Sequence, residues 1–338
     1  MSQQSCTPSF PTNLFPTQLF PTQQGPFVIY DEAFYQVIGK DPTLTLVAET
    51  SAHEGPVYYQ PWNALLYTTA PVDTDIPLIG YKSVSIDKID LATNTVSTLF
   101  ADTNMANGMV LDGDRLLVCE QGTFAAPAAI SAIDLSQQGD KAVPLVDQWD
   151  GLRFNSPNDV VVKNDGTIWF TDPSYGYLQG FKDAPQLGEY VYCFDPTTGY
   201  VTAVADSFIK PNGMVFSPDH KTLYVTDSGA IEEPGSYYVD QPHHVLAFDV
   251  SDNNRLSGQR LFAIVNPGIP DGIKVDSEGR VYVSCATGVK VYQPNGSLIG
   301  EILAQGACNF TFGGADNNQL YICVDTSVYV ANLNATGP

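Results

Sequence analysis

The sequence predicts an all-β protein, a six-bladed β-propeller closed by an N-terminal strand in the last blade. Six times along the chain, a few polar residues directly precede an apolar strand, at intervals of 38 to 59 residues. We call each of these short polar segments a polar step. A recurrence of about 40 to 50 residues, with several short strands in each unit, is typical of propellers. Frequent turn residues and the lack of long apolar runs at helical spacing also favour an all-β fold. The polar steps and their strands lie at 53–59, 106–112, 157–163, 211–217, 270–276 and 308–314.

Each of the first five units continues with further short strands that are joined by hairpin turns. Asp112-Gly113 and Asn164-Asp165-Gly166 are turns of this kind, because tight hairpins need residues that tolerate positive φ. The further strands are predicted at 65–71, 84–91 and 96–100 in unit one, 115–122 and 129–135 in unit two, 167–176, 189–195 and 200–206 in unit three, 222–229 and 244–250 in unit four, and 280–288 and 290–296 in unit five.

The sixth unit supplies only three strands, in the runs NFTFGG, QLYICVD and SVYVANL. The segment at 34–50 precedes the first polar step and contains the strand-like run LTLVAE. We expect this run to provide the missing strand of the last blade, because pairing the two ends of the chain removes an exposed strand edge. The sequence therefore predicts a single propeller domain over residues 27–338, after a flexible Pro-rich segment over residues 1–26.

The charge balance argues against polyanionic partners. The formal net charge is −22 and only 15 residues are Lys or Arg, so the average field repels nucleic acid and anionic membranes. The longest apolar runs have the length of strands and fall short of the roughly 18 to 20 residues that span a bilayer. We expect a soluble protein that binds neither nucleic acid nor membrane. The residues leave its oligomeric state open.

The amino-terminal segment, the composition and the cysteines bear on the cellular compartment of the protein. Residues 1–26 have no basic region followed by an apolar core, so they do not form a signal peptide. Few lysines, the acidic balance and the loose Pro-rich leader favour a secreted mature chain, with the cytoplasm as the alternative. Four cysteines lie inside apolar strand patterns, where buried thiols are expected: Cys119, Cys193, Cys285 and Cys323. Cys6 stands alone, and a bridge between Cys308 and Cys323 is an alternative for that hairpin.

Each polar step carries a side chain that offers an oxygen atom. In a propeller the equivalent strands converge on one axis, so these oxygens are expected to face a common centre. The Asn-Gly and Asp-Gly pairs open strands here, which separates them from the hairpin turns that follow. Hard oxygen donors without sulfur or imidazole favour calcium, although another divalent cation could bind. The six residues are Glu54, Asn107, Asn158, Asn212, Asp271 and Asn309.

Four stretches carry a resemblance to a known family. HEGPVYY and the stretches at 153–176, 210–229 and 270–285 resemble the calcium-dependent regucalcin–gluconolactonase superfamily of six-bladed propellers. The segment at 27–49 looks like the leader of the fungal lactonohydrolase branch. The resemblance implies that Glu54, Asn158, Asn212 and Asp271 hold the metal. It also implies that Asn107, Asp227 and Asn309 lie at the mouth or wall of the same cavity, where they bind substrate or orient ligands.

The implied activity is calcium-dependent opening of an aldonolactone, or a related small lactone, to the hydroxy acid. A cation that binds the ester carbonyl polarises it and stabilises the developing oxyanion. Asp271 is the candidate base or nucleophile, but a carboxylate on a cation has a lowered proton affinity. A role as ligand alone therefore stays open, with Asp227 or metal-bound water taking the proton.

Further side chains are weaker candidates. Tyr175 could wall the substrate pocket or simply pack, and Glu120 could reach the cavity or be a solvated turn acid. His53 is expected to point away from Glu54, because neighbouring residues of a strand face opposite sides. The residues contain no G-x-S-x-G elbow of a serine hydrolase.

Two other functions remain compatible with these residues. The same metal propeller could act on another bond, as a phosphotriesterase-like hydrolase or as a cyclisation or cycloaddition catalyst of natural-product biosynthesis. It could also be a non-catalytic calcium-binding propeller.

Overall fold

The computed structural model describes residues 21–73, 82–101, 103–137, 141–232 and 235–338. Six antiparallel sheets follow one another along the chain, which confirms the predicted six-bladed β-propeller. Blades one to four and blade six have four strands each, and blade five has six. In every blade the strand that follows the polar step forms one edge of the sheet. The four expected metal ligands lie within these edge strands or just before them.

The first half of the chain contains the amino-terminal elements and three blades. The amino-terminal elements are β1 (Thr22–Gln24), β2 (Phe27–Ile29), α1 (Phe34–Ile38) and β3 (Thr43–Glu49). Blade one contains β4 (Ala52–Tyr59), a 3₁₀ turn (Gln60–Trp62), β5 (Ala64–Thr69), the small hairpin β6 (Val72–Asp73) and β7 (Lys82–Ser83), β8 (Ile86–Asp90) and β9 (Thr95–Phe100). Blade two contains β10 (Ala106–Asp112), β11 (Arg115–Glu120), β12 (Ala129–Asp134) and β13 (Val143–Val146). The hairpin β14 (Gln148–Trp149) and β15 (Leu152–Arg153) leads into blade three, with β16 (Val160–Val162), β17 (Ile168–Asp172), α2 (Tyr175–Leu178), β18 (Tyr190–Asp195) and β19 (Tyr200–Ala205).

The second half contains the other three blades. Blade four contains β20 (Pro211–Phe216), β21 (Thr222–Asp227), β22 (His244–Val250) and β23 (Leu256–Ile264). Blade five contains β24 (Ile273–Val275), β25 (Val281–Cys285), β26 (Gly288–Tyr292) and β27 (Leu298–Leu303), and blade six contains β28 (Asn309–Gly313), β29 (Gln319–Cys323) and β30 (Ser327–Asn332).

The amino-terminal strands join the last two blades. β3 pairs antiparallel with β30, from Thr43 opposite Asn332 to Glu49 opposite Ser327, and is the outer strand of the sixth sheet. β2 pairs with β27, and β1 pairs with β2, which extends the fifth sheet. β1 lies within the segment that the sequence predicts to be flexible, so residues 22–24 of that segment form a strand. Residues 1–20 of that segment lie outside the described residues.

The hydrophobic core lies in the seams between neighbouring blades. The second strand of each blade is covered on both faces, and all residues of β5, β17 and β25 are buried. In the seam between blades three and four, the rings of Trp169 and Phe216 meet edge to face with centroids 5.3 Å apart. Burial on both faces explains why these second strands are almost continuously apolar in the sequence.

Hydroxyl groups on the second strands of blades one, three and four tie each of these blades to the next one near the axis. The Oγ1 atoms of Thr68, Thr171 and Thr226 donate hydrogen bonds to the carbonyl oxygens of Asn107 (3.1 Å), Asn212 (2.7 Å) and Asp271 (2.9 Å). A buried hydroxyl without a partner would cost free energy, so these bonds fix where each polar step lies relative to the preceding blade. The ring of blades thereby positions the backbone of the candidate site.

The glycine after a polar-step residue is required by the close approach of the next blade. A Cβ atom at Gly213 would lie 2.4 Å from the carbonyl oxygen of Asp271. We expect Gly213→Ala to lower the free energy of unfolding by about 1 to 3 kcal/mol, because neither backbone can move without straining its sheet. Denaturant unfolding followed by circular dichroism measures this change.

Gly113 provides the matched control for this prediction. It has a φ of 63° in a hairpin turn, and a Cβ atom there meets nothing within 4 Å. Gly113→Ala should therefore cost only the backbone strain of about 1 kcal/mol. Equal stability of Gly213→Ala and the unchanged chain would contradict the tight contact between blades four and five.

Among the described residues, no helix is both long enough and apolar enough to span a bilayer. The cysteines at 119, 193, 285, 308 and 323 are buried free thiols, so the alternative bridge between Cys308 and Cys323 does not form in the structure. Cys6 lies outside the described residues.

Candidate functional site

A polar cavity of about 220 Å³ lies where the edge strands of the blades begin. Its wall includes residues from five of the six polar steps, so chain segments far apart in sequence meet at one point. All four residues expected to hold a metal line this cavity, together with two of the expected substrate-binding residues. These six are Glu54, Asn158, Asn212 and Asp271, with Asn107 and Tyr175.

The carboxyl groups that line this cavity include those of Glu54, from blade one, and Asp271, from the step before the first strand of blade five. Glu54 is only 4% exposed, and burial is the main reason why the pKa of its carboxyl is raised. Burial, followed by the nearby charge of Glu54, raises the pKa of the Asp271 carboxyl well above its usual range. Two ionised carboxylates in the wall of one small cavity repel one another and are poorly solvated. A divalent cation between them would remove both costs.

Two amide oxygens of the cavity have no hydrogen-bond partner. The Oδ1 atoms of Asn107 and Asn158 are buried and unpaired, which is costly unless another electropositive group binds them. With the two carboxylates they form a set of hard oxygen donors. Such a set fits calcium, which accepts about six to eight oxygens in flexible geometry. The donor chemistry of these residues therefore fits the expected ion.

The orientation of the Asn212 amide is determined by its neighbours. Ser228 Oγ donates its proton to the carbonyl oxygen of Pro270 (2.6 Å), so it can only accept a hydrogen bond from Asn212. Asn212 Nδ2 donates to this oxygen at 3.1 Å. The nitrogen is thereby assigned, and the amide oxygen remains available as a ligand. The hydroxyl of Tyr175, on α2, lies 3.5 Å from the same nitrogen.

Asn309 orients a ligand and does not line the cavity. It is 2% exposed, its Nδ2 donates to Glu54 Oε2 at 2.7 Å, and its Oδ1 accepts from the backbone N–H of Phe310 at 2.8 Å. Both ends of the amide are occupied, which fixes its orientation. Of the two roles expected for Asn309, orienting a ligand agrees with this arrangement and binding substrate does not.

His53 lines the cavity beside Glu54, contrary to the expectation that the two side chains face opposite sides. The reason is an irregular register: β4 shifts against β5 on both sides of Glu54, and Gly55 has a φ of 57°. A bulge of this kind breaks strand alternation. In the sequence, the glycine that follows Glu54 is the signal for this placement. Glycine readily adopts the positive φ that a bulge needs.

The imidazole of His53 is held by a carboxylate from blade six. Its Nδ1 lies 2.6 Å from Asp325 Oδ1. Burial disfavours its charged form, but the hydrogen bond to Asp325 and the charge of Glu54 raise the pKa of His53 to about 9. The polar-step pattern does not include Asp325, which lies in the turn between β29 and β30.

Asp227 has a different position from the one expected. Its buried carboxylate accepts hydrogen bonds from the backbone N–H groups of Ile209 (3.0 Å), Lys210 (2.9 Å) and Gly229 (3.2 Å), and it is not among the residues that line the cavity. Asp172 does the same in blade three, where it accepts from the N–H groups of Asn155 and Ser156. Each carboxylate holds the loop that leads to a candidate ligand, Asn212 for Asp227 and Asn158 for Asp172. The proton-accepting role expected for Asp227 is therefore corrected: this residue positions the loop.

Glu120 also lies apart from the site. It is a wall residue of a separate cavity of about 560 Å³ between blades one and two. Its Oε2 accepts a hydrogen bond from Ser131 Oγ, and burial raises the pKa of its carboxyl. The expected contact of Glu120 with substrate is therefore not supported, because β11 ends with this side chain in the seam between blades.

Comparisons with known proteins agree with this arrangement. The model of the SMP-30/gluconolactonase/LRE-like region matches residues 53–326. Lactonohydrolase oryL of Aspergillus oryzae is 35% identical over 201 residues, which cover 54% of this chain and 45% of that protein. The chain thus spans less than half the length of this relative. The gluconolactonase of Zymomonas mobilis is 28% identical over 270 residues, which cover 77% of this chain and 72% of that protein.

A solved structure extends the similarity over nearly the whole chain. It is that of a gluconolactonase from Xanthomonas campestris, with a TM-score of 0.73 and 33% sequence identity. The match covers 95% of this chain and 99% of the other. The fold of the two chains is therefore the same from the first blade to the last.

Proposed function

This chain belongs to the SMP-30/gluconolactonase/LRE-like family, and from that premise we propose that it is a calcium-dependent hydrolase that opens a small lactone to the hydroxy acid. The observation that carries the proposal is the convergence of two carboxylates and two buried, unpaired amide oxygens on one cavity. Its relatives named lactonohydrolase and gluconolactonase support the reaction class.

The size and polarity of the cavity favour an aldonolactone or a similarly small lactone. A volume of about 220 Å³ is below the roughly 300 to 1,000 Å³ of sites that bind drug-sized ligands. The amides of Gln121 and Gln179 are part of the wall and can exchange hydrogen bonds with sugar hydroxyls. Long acyl chains would find little apolar surface there, since Ile231 and Ile269 are the aliphatic wall residues.

We assign the residues of the cavity to separate tasks. Glu54, Asn158, Asn212 and Asp271 hold the calcium ion, and Asn107 adds an unpaired oxygen toward the ion or a substrate hydroxyl. Bound calcium supplies electrophilic polarisation of the ester carbonyl and stabilises negative charge on its oxygen. Tyr175 and the two glutamines orient the ring of the substrate.

Asp271 is the carboxylate that we propose for the chemical step. Asn309 ties one oxygen of Glu54, which suits a residue that only ligates. Burial and the nearby charge of Glu54 raise the pKa of the Asp271 carboxyl, which suits a proton acceptor, and Asp271 either accepts the proton of the attacking water or attacks the carbonyl itself. Asp227 is excluded from this step by its three backbone hydrogen bonds.

Proton release from a panel of aldonolactones, simple γ- and δ-lactones and a phosphotriester tests the proposal. The purified chain should open at least one lactone, lose this activity in excess chelator and regain it when calcium is restored. Turnover that survives chelation would contradict the metal mechanism. Turnover of the phosphotriester alone would favour the other hydrolase reaction, and calcium binding without any turnover would favour a binding propeller.

A further inference from the structure

A second group of potential metal ligands lies beside the oxygen donors of the cavity. The Nδ1 atom of His53, the Sγ atom of Cys308 and a carboxylate oxygen of Asp325 all lie within 4.8 Å of one another. Asp325 Oδ1 accepts hydrogen bonds from both neighbours, at 2.6 Å from His53 Nδ1 and 3.3 Å from Cys308 Sγ. The three donors come from blade one, the start of blade six and the last turn of blade six. We call them the His-Cys-Asp cluster.

The backbone holds each member of this cluster in place. Asp325 has a φ of 62°, a conformation that costs about 1 kcal/mol or more for a residue with a side chain. Its N–H donates to the carbonyl oxygen of Ala52 at 2.9 Å, next to His53. The N–H of Cys308 donates to the carbonyl oxygen of Cys323 at 3.0 Å. Strained residues that the surrounding structure holds in this way concentrate at functional sites.

The chemistry of the cluster differs from that of the oxygen donors. Imidazole nitrogen, thiolate sulfur and carboxylate oxygen together are typical ligands of zinc, whereas calcium prefers oxygen alone. The Sγ atom of Cys308 lies 3.3 Å from the carboxylate of Asp325, and the carboxylates of Glu54 and Asp271 line the adjoining cavity. The same surroundings attract a cation, which would compensate the thiolate and carboxylate together.

We propose that the His-Cys-Asp cluster is a second metal site, distinct from the calcium site, that binds a zinc-class ion through three protein ligands. The fourth position of a tetrahedral zinc ion is left for water. Binding releases the thiol proton of Cys308 and the Nδ1 proton of the His53 imidazolium to solvent, and the neutral imidazole keeps one proton on Nε2. Because His53 also lines the cavity, occupancy of this site changes the wall of the cavity and should reduce access of substrate.

Binding measurements on the full chain in saturating calcium test the site without any lactone. Zinc titrated by calorimetry should bind with one equivalent that calcium does not displace. Cobalt(II), used as a spectroscopic probe, should produce the intense charge-transfer absorption of a thiolate ligand. Cys308→Ser should abolish this absorption and weaken zinc binding at least tenfold, and Asp325→Asn should weaken zinc binding without removing the absorption.

Cys193→Ser is the matched control, because it removes another buried thiol far along the ring, in blade three. It should leave both the zinc affinity and the cobalt absorption unchanged. The proposal fails if Cys308→Ser binds zinc as the unchanged chain does, or if excess calcium displaces the zinc. If Cys308→Ser does not fold, the affinity of Asp325→Asn decides, because this carboxylate lies at the surface and its amide isostere preserves the turn.

Discussion

Asp271→Asn is expected to lower kcat/KM for lactone opening by about 10² to 10³-fold, the usual cost of losing one group that stabilises the transition state. The substitution preserves the shape of the side chain and removes one of the two negative charges that face the cation. It also removes the proposed base or nucleophile. Initial rates of proton release at saturating calcium measure the effect, and circular dichroism checks that the variant is folded.

Asp316→Asn is the control for this prediction. Asp316 is exposed on the turn between β28 and β29, so the substitution makes the same change of charge away from the cavity and should leave the rate unchanged. Full activity of Asp271→Asn would contradict both the ligand role and the chemical role of Asp271. Mass spectrometry of the rapidly quenched enzyme separates the two chemical roles, because only a nucleophilic Asp271 forms a covalent acyl adduct.

Removal of calcium is expected to lower the stability of the propeller as well as its activity. Without the ion, the carboxyls of Glu54 and Asp271 line one cavity with no cation between them, and the amide oxygens of Asn107 and Asn158 have no partner. A ligand at a concentration a hundredfold above its Kd stabilises the folded state by about 2.7 kcal/mol. Thermal unfolding in a calcium series and in chelator should therefore show a midpoint that rises with calcium concentration.

Glu54→Gln connects this effect to the proposed ligands. The variant should lose most of the calcium dependence of its unfolding midpoint, because one charged ligand is gone. Without calcium it should unfold at a similar or higher temperature than the unchanged chain, since the repulsion with Asp271 is reduced. A midpoint that is independent of calcium in the unchanged chain would contradict a calcium site at the centre of the ring.

The recurring polar step was sufficient to predict the convergence of Glu54, Asn158, Asn212 and Asp271. Equivalent strands of a propeller begin at the same end of the axis, so a repeat in the sequence translates directly into proximity. Glycines after these residues follow from the same geometry, as the 2.4 Å approach to Gly213 demonstrates. Charge and composition added only the expectation that nucleic acid and membranes are not partners.

The expected roles of Asp227 and Glu120 did not follow from the repeat, and the structure changes both. Both residues end the second strand of a blade. The carboxylate of Asp227 accepts hydrogen bonds from three backbone N–H groups, whereas that of Glu120 lies in the seam between two blades beside Ser131. Sequence spacing does not reveal which loop folds back onto a carboxylate. That depends on the local path of the chain after each strand.

The sequence by itself determined the number of blades and the convergence of five of the six polar steps on one cavity, because both are properties of a repeat whose units fold in the same way. Only the tertiary structure decided which neighbours face the cavity. The bulge around Glu54 turns His53 toward it, and the last turn of blade six brings Asp325 to His53 across the meeting point of the first and last blades. Local register and contacts between distant blades depend on packing, which strand alternation does not encode.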